Sequence, residues 1–149
     1  MASRSAVLSA VCALGLMCSA LSFAQDVTVG DLMAKGARYL SAEELKALLP
    51  GALLRYENAE YVTSIKLNTD GSINGTAQKR IGASGGPNPG FTGEWRISDE
   101  GRWCGVHQVR GAEWGKYCRD VLKAGDKYYY STGSRKNDAR PAYELSIRK

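Results

Sequence analysis

The chain has 149 residues, 44% of them hydrophobic and 23% charged, with a net charge of +5, one histidine and four cysteines. That length fits one domain with a real core, and the modest basic surplus points to an anionic ligand or surface rather than to nucleic acid. A single histidine leaves too few ligands for a zinc centre, and no nucleophile motif accompanies it, so no metal, cofactor or catalytic residue is expected.

Residues 1–24 read as a cleaved secretory signal. Arg4 supplies the basic start, Ala6 to Leu21 the apolar run, and Ser22-Phe23-Ala24 the small residues before a cut after Ala24. The run is too short and too rich in small residues for a membrane helix, so the mature chain is expected to have no transmembrane segment. Its localisation is expected to be periplasmic or secreted. Removing Arg4 lowers the net charge from +5 to +4, and Cys12 and Cys18 leave with the signal. Cys104 and Cys118 remain, and an oxidising compartment predicts one disulfide between them.

Residues 25–51 form a helical segment. Val29 to Lys35 is a short helix ending at Gly36. In "LSAEELKALLPG", Ser41 is the N-cap and Glu44 completes a capping box. Leu40 and Leu45 can staple the entry, and Pro50-Gly51 stops the helix.

Residues 52–149 read as β throughout, with strand candidates at 52–57, 60–68, 72–78, 91–98, 102–109, 114–122, 127–132 and 141–148. The turns "TDG", "DEG" and "AGD" each offer a glycine for positive φ. The stretch 79–90, "KRIGASGGPNPG", cannot be an interior strand. Lys79 and Arg80 open it, but it lacks the ending and the strand–loop–helix setting of a phosphate loop, so it reads as a long hairpin loop at a barrel mouth. The fold class is mainly β: an eight-stranded antiparallel up-and-down barrel or curled sheet. One or two short N-terminal helices would cover an end or pack outside.

Register arithmetic sorts the side chains. A loop over 99–101 pairs Ile97 with Trp103, Trp95 with Gly105 and Gly93 with His107. This gathers Phe91, Trp95, Ile97, Trp103 and Val109 on one face, with Trp95 covering Gly105. A turn centred on Gly111 pairs Cys104 with Cys118 and brings Arg102 opposite Asp120. It puts His107, Tyr117 and Arg119 on the inward face, where polar groups must be hydrogen-bonded or wet. A loop over 69–71 pairs Leu67 with Ile73.

The carboxylates of "GEWRISDEGRWCG", Glu94, Asp99 and Glu100, belong to a turn and a charged outer face rather than to an acid–base pair. Among Tyr128, Tyr129 and Tyr130 the middle ring points opposite to its neighbours.

"LSAEELKALLPG", "GEWRISDEGRWC", "WGKYC" and "GDKYYY" together resemble small secreted proteobacterial proteins grouped as a domain of unknown function. The resemblance spans most of the mature chain and implies no activity, because its motifs are structural. The inferred barrel is also similar in architecture to lipocalin-like binders and to periplasmic inhibitors of C-type lysozyme, although +4 is the wrong sign for a basic lysozyme.

The expected function is a non-enzymatic periplasmic or secreted binding protein. It would hold a small ligand or cell-envelope component through His107, Tyr117, Arg119, Trp95 and Trp103. The alternative is a protein–protein module, an inhibitor or immunity-type protein of a secreted enzyme, presenting Trp114, Tyr128 and Tyr130 as an exposed patch.

Overall fold

A short helix cannot sustain itself in water, so each N-terminal helix depends on its cap and on the apolar face it buries. In a computed structural model, which describes residues 27–58, 60–80 and 90–149, both helices have these features. The signal expected over 1–24 and the central part of the glycine-rich loop, 81–89, lie outside the described residues.

Helix α1 (Val29–Ala34) starts at a capping box of Thr28 and Asp31, and α2 (Ala42–Leu48) at the expected one of Ser41 and Glu44. Arg38 grips the same Glu44 with two bonds of 2.8 and 2.6 Å. Leu45 of α2 and Leu49 at its C-cap enter the main core and seal one barrel end. At that end the α2 cap lies against Gly101 of a hairpin turn. Helix α1 packs outside, with Val29 and Leu32 against Leu122 and Ala142. The segment is not wholly helical: Arg38–Tyr39 forms a short strand, β1, opposite Lys123 and Leu122.

The eight expected strands are present as β2 (Leu53–Glu57), β3 (Tyr61–Leu67), β4 (Ser72–Lys79), β5 (Phe91–Ile97), β6 (Trp103–Val109), β7 (Ala112–Ala124), β8 (Lys127–Thr132) and β9 (Tyr143–Arg148). Each pairs antiparallel with the next, and β9 pairs with β2. The sheet therefore closes into an eight-stranded up-and-down barrel with β1 added beside β7. No helix among the described residues is long and apolar enough to cross a membrane.

The registers follow the period-2 pattern. Ile97 faces Trp103, Gly93 faces His107, and Leu67 faces Ile73. Cys104 faces Cys118 and is bonded to it across a Cα–Cα distance of 4.0 Å. Cross-linking two strands in this way stabilises the fold by roughly 3 kcal/mol in the chain-entropy picture. The turn beyond it differs from the expectation. It is a two-residue loop, Arg110-Gly111, with φ of 52° and 80°, as a type I′ hairpin requires. The cysteines still pair because β7 carries a bulge: His107 faces Gly115 while Gln108 faces Glu113, which leaves Trp114 as the extra residue.

Outside the barrel, Asp120 is wholly buried and gathers three guanidinium groups. Arg135 Nε lies at 2.7 Å, Arg140 Nη1 at 2.9 Å and Arg102 Nε at 3.3 Å. Arg140 also donates to the Tyr39 hydroxyl at 2.7 Å, and Arg135 to the carbonyl of Gly101 at 3.1 Å. One carboxylate thus ties the β8–β9 loop and β1 to the barrel wall.

Candidate functional site

Alternation along eight closed strands sends one side chain in two to the interior. Near the α2-sealed end these are aliphatic, with Trp95 and Trp103, and most are buried. Toward the other end they become aromatic and polar: Tyr56, Thr63, Phe91, His107, Arg119 and Tyr130. Here a pocket of about 160 Å³ opens, also bordered by Asn58, Tyr61, Ala77 and Trp114.

Arg119 forms its floor. Its guanidinium carbon lies 4.7 Å from the ring centre of Tyr56, 5.0 Å from Trp103, 4.4 Å from Tyr117 and 4.7 Å from Tyr130. Such faces attract a cation. Tyr117 can reach this place because its cross-strand partner is Gly105, and a Cβ at Gly105 would collide with the Tyr117 ring. The Gly105 site is therefore covered by Tyr117 rather than by Trp95. Arg119 Nε and Nη1 and His107 Nε2 are buried without a hydrogen-bond partner among the described residues.

His107 forms a wall. Its ring centre is 4.5 Å from Phe91, 4.6 Å from Tyr117 and 6.2 Å from Trp114. Burial first, then the positive charge of Arg119, pushes its pKa down to about 4, so the imidazole is neutral at pH 7. Burial likewise lifts the Tyr117 and Tyr130 phenols above their usual range. Among the described residues no Asp or Glu borders the pocket, and no three His, Cys, Asp or Glu side chains gather as a metal site.

Trp114 forms the rim. It is 54% exposed, its ring 6.3 Å from that of Phe91. Strict alternation from Tyr117 and Arg119 would turn Trp114 outward with Lys116. The bulge re-aims it to the mouth, a use bulges often serve.

The five residues expected at a site divide into three groups. His107 and Arg119 border the pocket. Tyr117 and Trp103 stand behind Arg119 and complete its cage. Trp95 belongs elsewhere: its indole donates to the carbonyl of Asn68 at 2.9 Å, beside the β3–β4 turn near the sealed end. Its face was right and its level along the barrel was not. The Cys104–Cys118 bridge lies on the outer face, in a shallow hollow of about 230 Å³ among Glu94, Arg96 and Lys116. The expected exposed patch of Trp114, Tyr128 and Tyr130 does not form. Tyr130 is 3% exposed and packs on Tyr56 and Tyr143 inside, and Tyr128 is half-buried against the same core. Tyr129 points the opposite way, into the cluster under α1.

Sequence reasoning missed Tyr56, Phe91, Trp114 and Tyr130 as site residues. It places Tyr130 and Trp114 in an exposed patch and Phe91 only on the apolar inward face, and it does not single out Tyr56. No known protein family, curated protein or solved structure matches this chain, so any functional reading rests on these side chains.

Proposed function

We propose that the protein is a small periplasmic or secreted binding module whose ligand, a small molecule or an envelope component, enters the open barrel mouth. One observation carries this reading. Arg119 and His107 present polar atoms that no group among the described residues satisfies, and both border a pocket in a barrel whose other end α2 closes. Leaving such groups unpaired costs roughly 1 to 3 kcal/mol each, more for a charged one, and a fold tolerates that where a ligand or water completes them. The pocket is too small for a large hydrophobic ligand, since drug-sized molecules occupy about 300 Å³ or more.

A protein partner is the weaker reading. Trp114 is its one exposed aromatic candidate at the mouth, and the tyrosines that would extend the patch lie inside or against the core.

The test is a titration of the oxidised, exported protein, ¹⁵N-labelled, with small neutral, cationic and anionic compounds. Amide shifts at Phe91, His107, Trp114 and Arg119 caused by at least one class are expected. If no class moves these resonances, the binding reading is wrong.

A further inference from the structure

Arg119 is a half-buried cation in the barrel interior, without a counter-ion among the described residues. Its four surrounding rings stabilise the charge from their faces, but a ring face leaves the in-plane N–H groups without acceptors. Among the described residues, the unpartnered interior groups include the obligate donor Arg119 and His107 Nε2. No carboxylate among the described residues borders the space.

From this we infer that the barrel mouth binds a small organic carboxylate. Its two oxygens would meet the free edge of the Arg119 guanidinium, and its apolar body would lie against Phe91, Tyr61 and Trp114. This deepens the binding reading and rests on it.

Charge and size both select the class. An ammonium or amidinium ligand would meet a like charge, because the aromatic cage that could hold a cation is already filled by Arg119. A neutral ligand can accept from the guanidinium but supplies no counter-charge. A carboxylate supplies it in the planar, two-oxygen form that arginine matches. For size, a dry cavity of about 150 Å³ holds a benzene ring. The pocket here, about 160 Å³ and open to solvent, suits a monocyclic or short-chain acid with its body at the mouth.

The experiment compares three compounds of one shape and three charges on the intact oxidised protein: benzoate, benzamide and benzamidine. Benzoate is expected to shift the His107 and Trp114 resonances with at least tenfold tighter binding than either of the others. If benzamide or benzamidine binds at the mouth as well as benzoate does, the carboxylate inference is overturned while the binding reading stands. If none of the three shifts these resonances, the inference also falls, and the wider titration decides the binding reading. Arg119→Met should weaken benzoate at least tenfold, and unchanged binding would also overturn the inference. The isostere comparison on the native chain decides the matter even if that variant does not fold.

Discussion

His107 lies beside Arg119 in the barrel interior, and burial together with that neighbouring charge keeps the imidazole neutral down to about pH 4. In the unfolded chain the same group titrates near 6.5. Between these values the unfolded state binds the proton that the folded state refuses. The stability is therefore complete above pH 6.5 and is lost as the pH falls toward 4. At about 1.4 kcal/mol per pH unit the loss reaches about 2 to 3 kcal/mol. Urea unfolding of the native protein and of His107→Phe at pH 7, 6, 5 and 4 checks this. The difference between the two curves should change by that amount across the range, with the native protein losing more.

Arg119 offers a prediction of opposite sign. Burying an ion without a counter-ion costs several kcal/mol. The rings around this one return about 0.5 to 1 kcal/mol each, or somewhat more where desolvated. Methionine keeps a long, adaptable side chain that packs against aromatic edges. Ligand-free Arg119→Met is therefore expected to be more stable than the native protein by about 1 to 2 kcal/mol, read as a higher urea midpoint with an unchanged slope. A loss of several kcal/mol would instead assign Arg119 to holding the barrel together.

Asp120 is the counter-case, a buried charge whose partners are all present. Removing one side of such a cluster leaves the other uncompensated and costs roughly 3 to 5 kcal/mol. Arg102 and Arg135 are partly exposed and can turn toward water, whereas Arg140 is 4% exposed and cannot. Asp120→Asn is expected to cost about 3 kcal/mol by urea unfolding. Hydrogen exchange should rise in 133–140 and at Tyr39, which Arg140 holds, before it rises in the barrel strands.

Much of the barrel was legible because its strands alternate cleanly and its turns carry glycine. Ile97 opposite Trp103 followed from keeping one face of the hairpin apolar, and Cys104 opposite Cys118 from the disulfide that joins the two strands. Arg38–Tyr39 escaped notice because two residues make no pattern, and this strand depends on the β7 edge and on Arg140. Trp114 was misplaced because a two-residue turn followed by a bulge gives the same cysteine pairing as a turn centred on Gly111. The cage around Arg119 was half legible. Tyr117 and Arg119 were read as inward, but which rings from β2 and β8 reach them depends on the stagger at which the barrel closes. Pairwise registers within hairpins do not contain that stagger. Trp95 shows the same gap, because alternation gives the face of a residue and not its level along the axis.

Arg110 carries the last prediction. It is the one non-glycine residue with positive φ among those described, at 52°, in the first position of the β6–β7 turn. The left-handed region crowds an ordinary Cβ, and asparagine occupies it at lower cost than arginine because its short polar side chain bonds locally. The Arg110 side chain makes no hydrogen bond or ion pair among the described residues that its loss would remove. Arg110→Asn would give the Asn-Gly sequence that type I′ turns favour, and should raise stability by about 0.5 to 1 kcal/mol. Because the turn fixes the register that puts Trp114 at the mouth, the indole resonance of Trp114 should stay unchanged in this variant. A shifted indole would mean that the bulge and the turn had exchanged a residue, and the gain in stability would then have another origin.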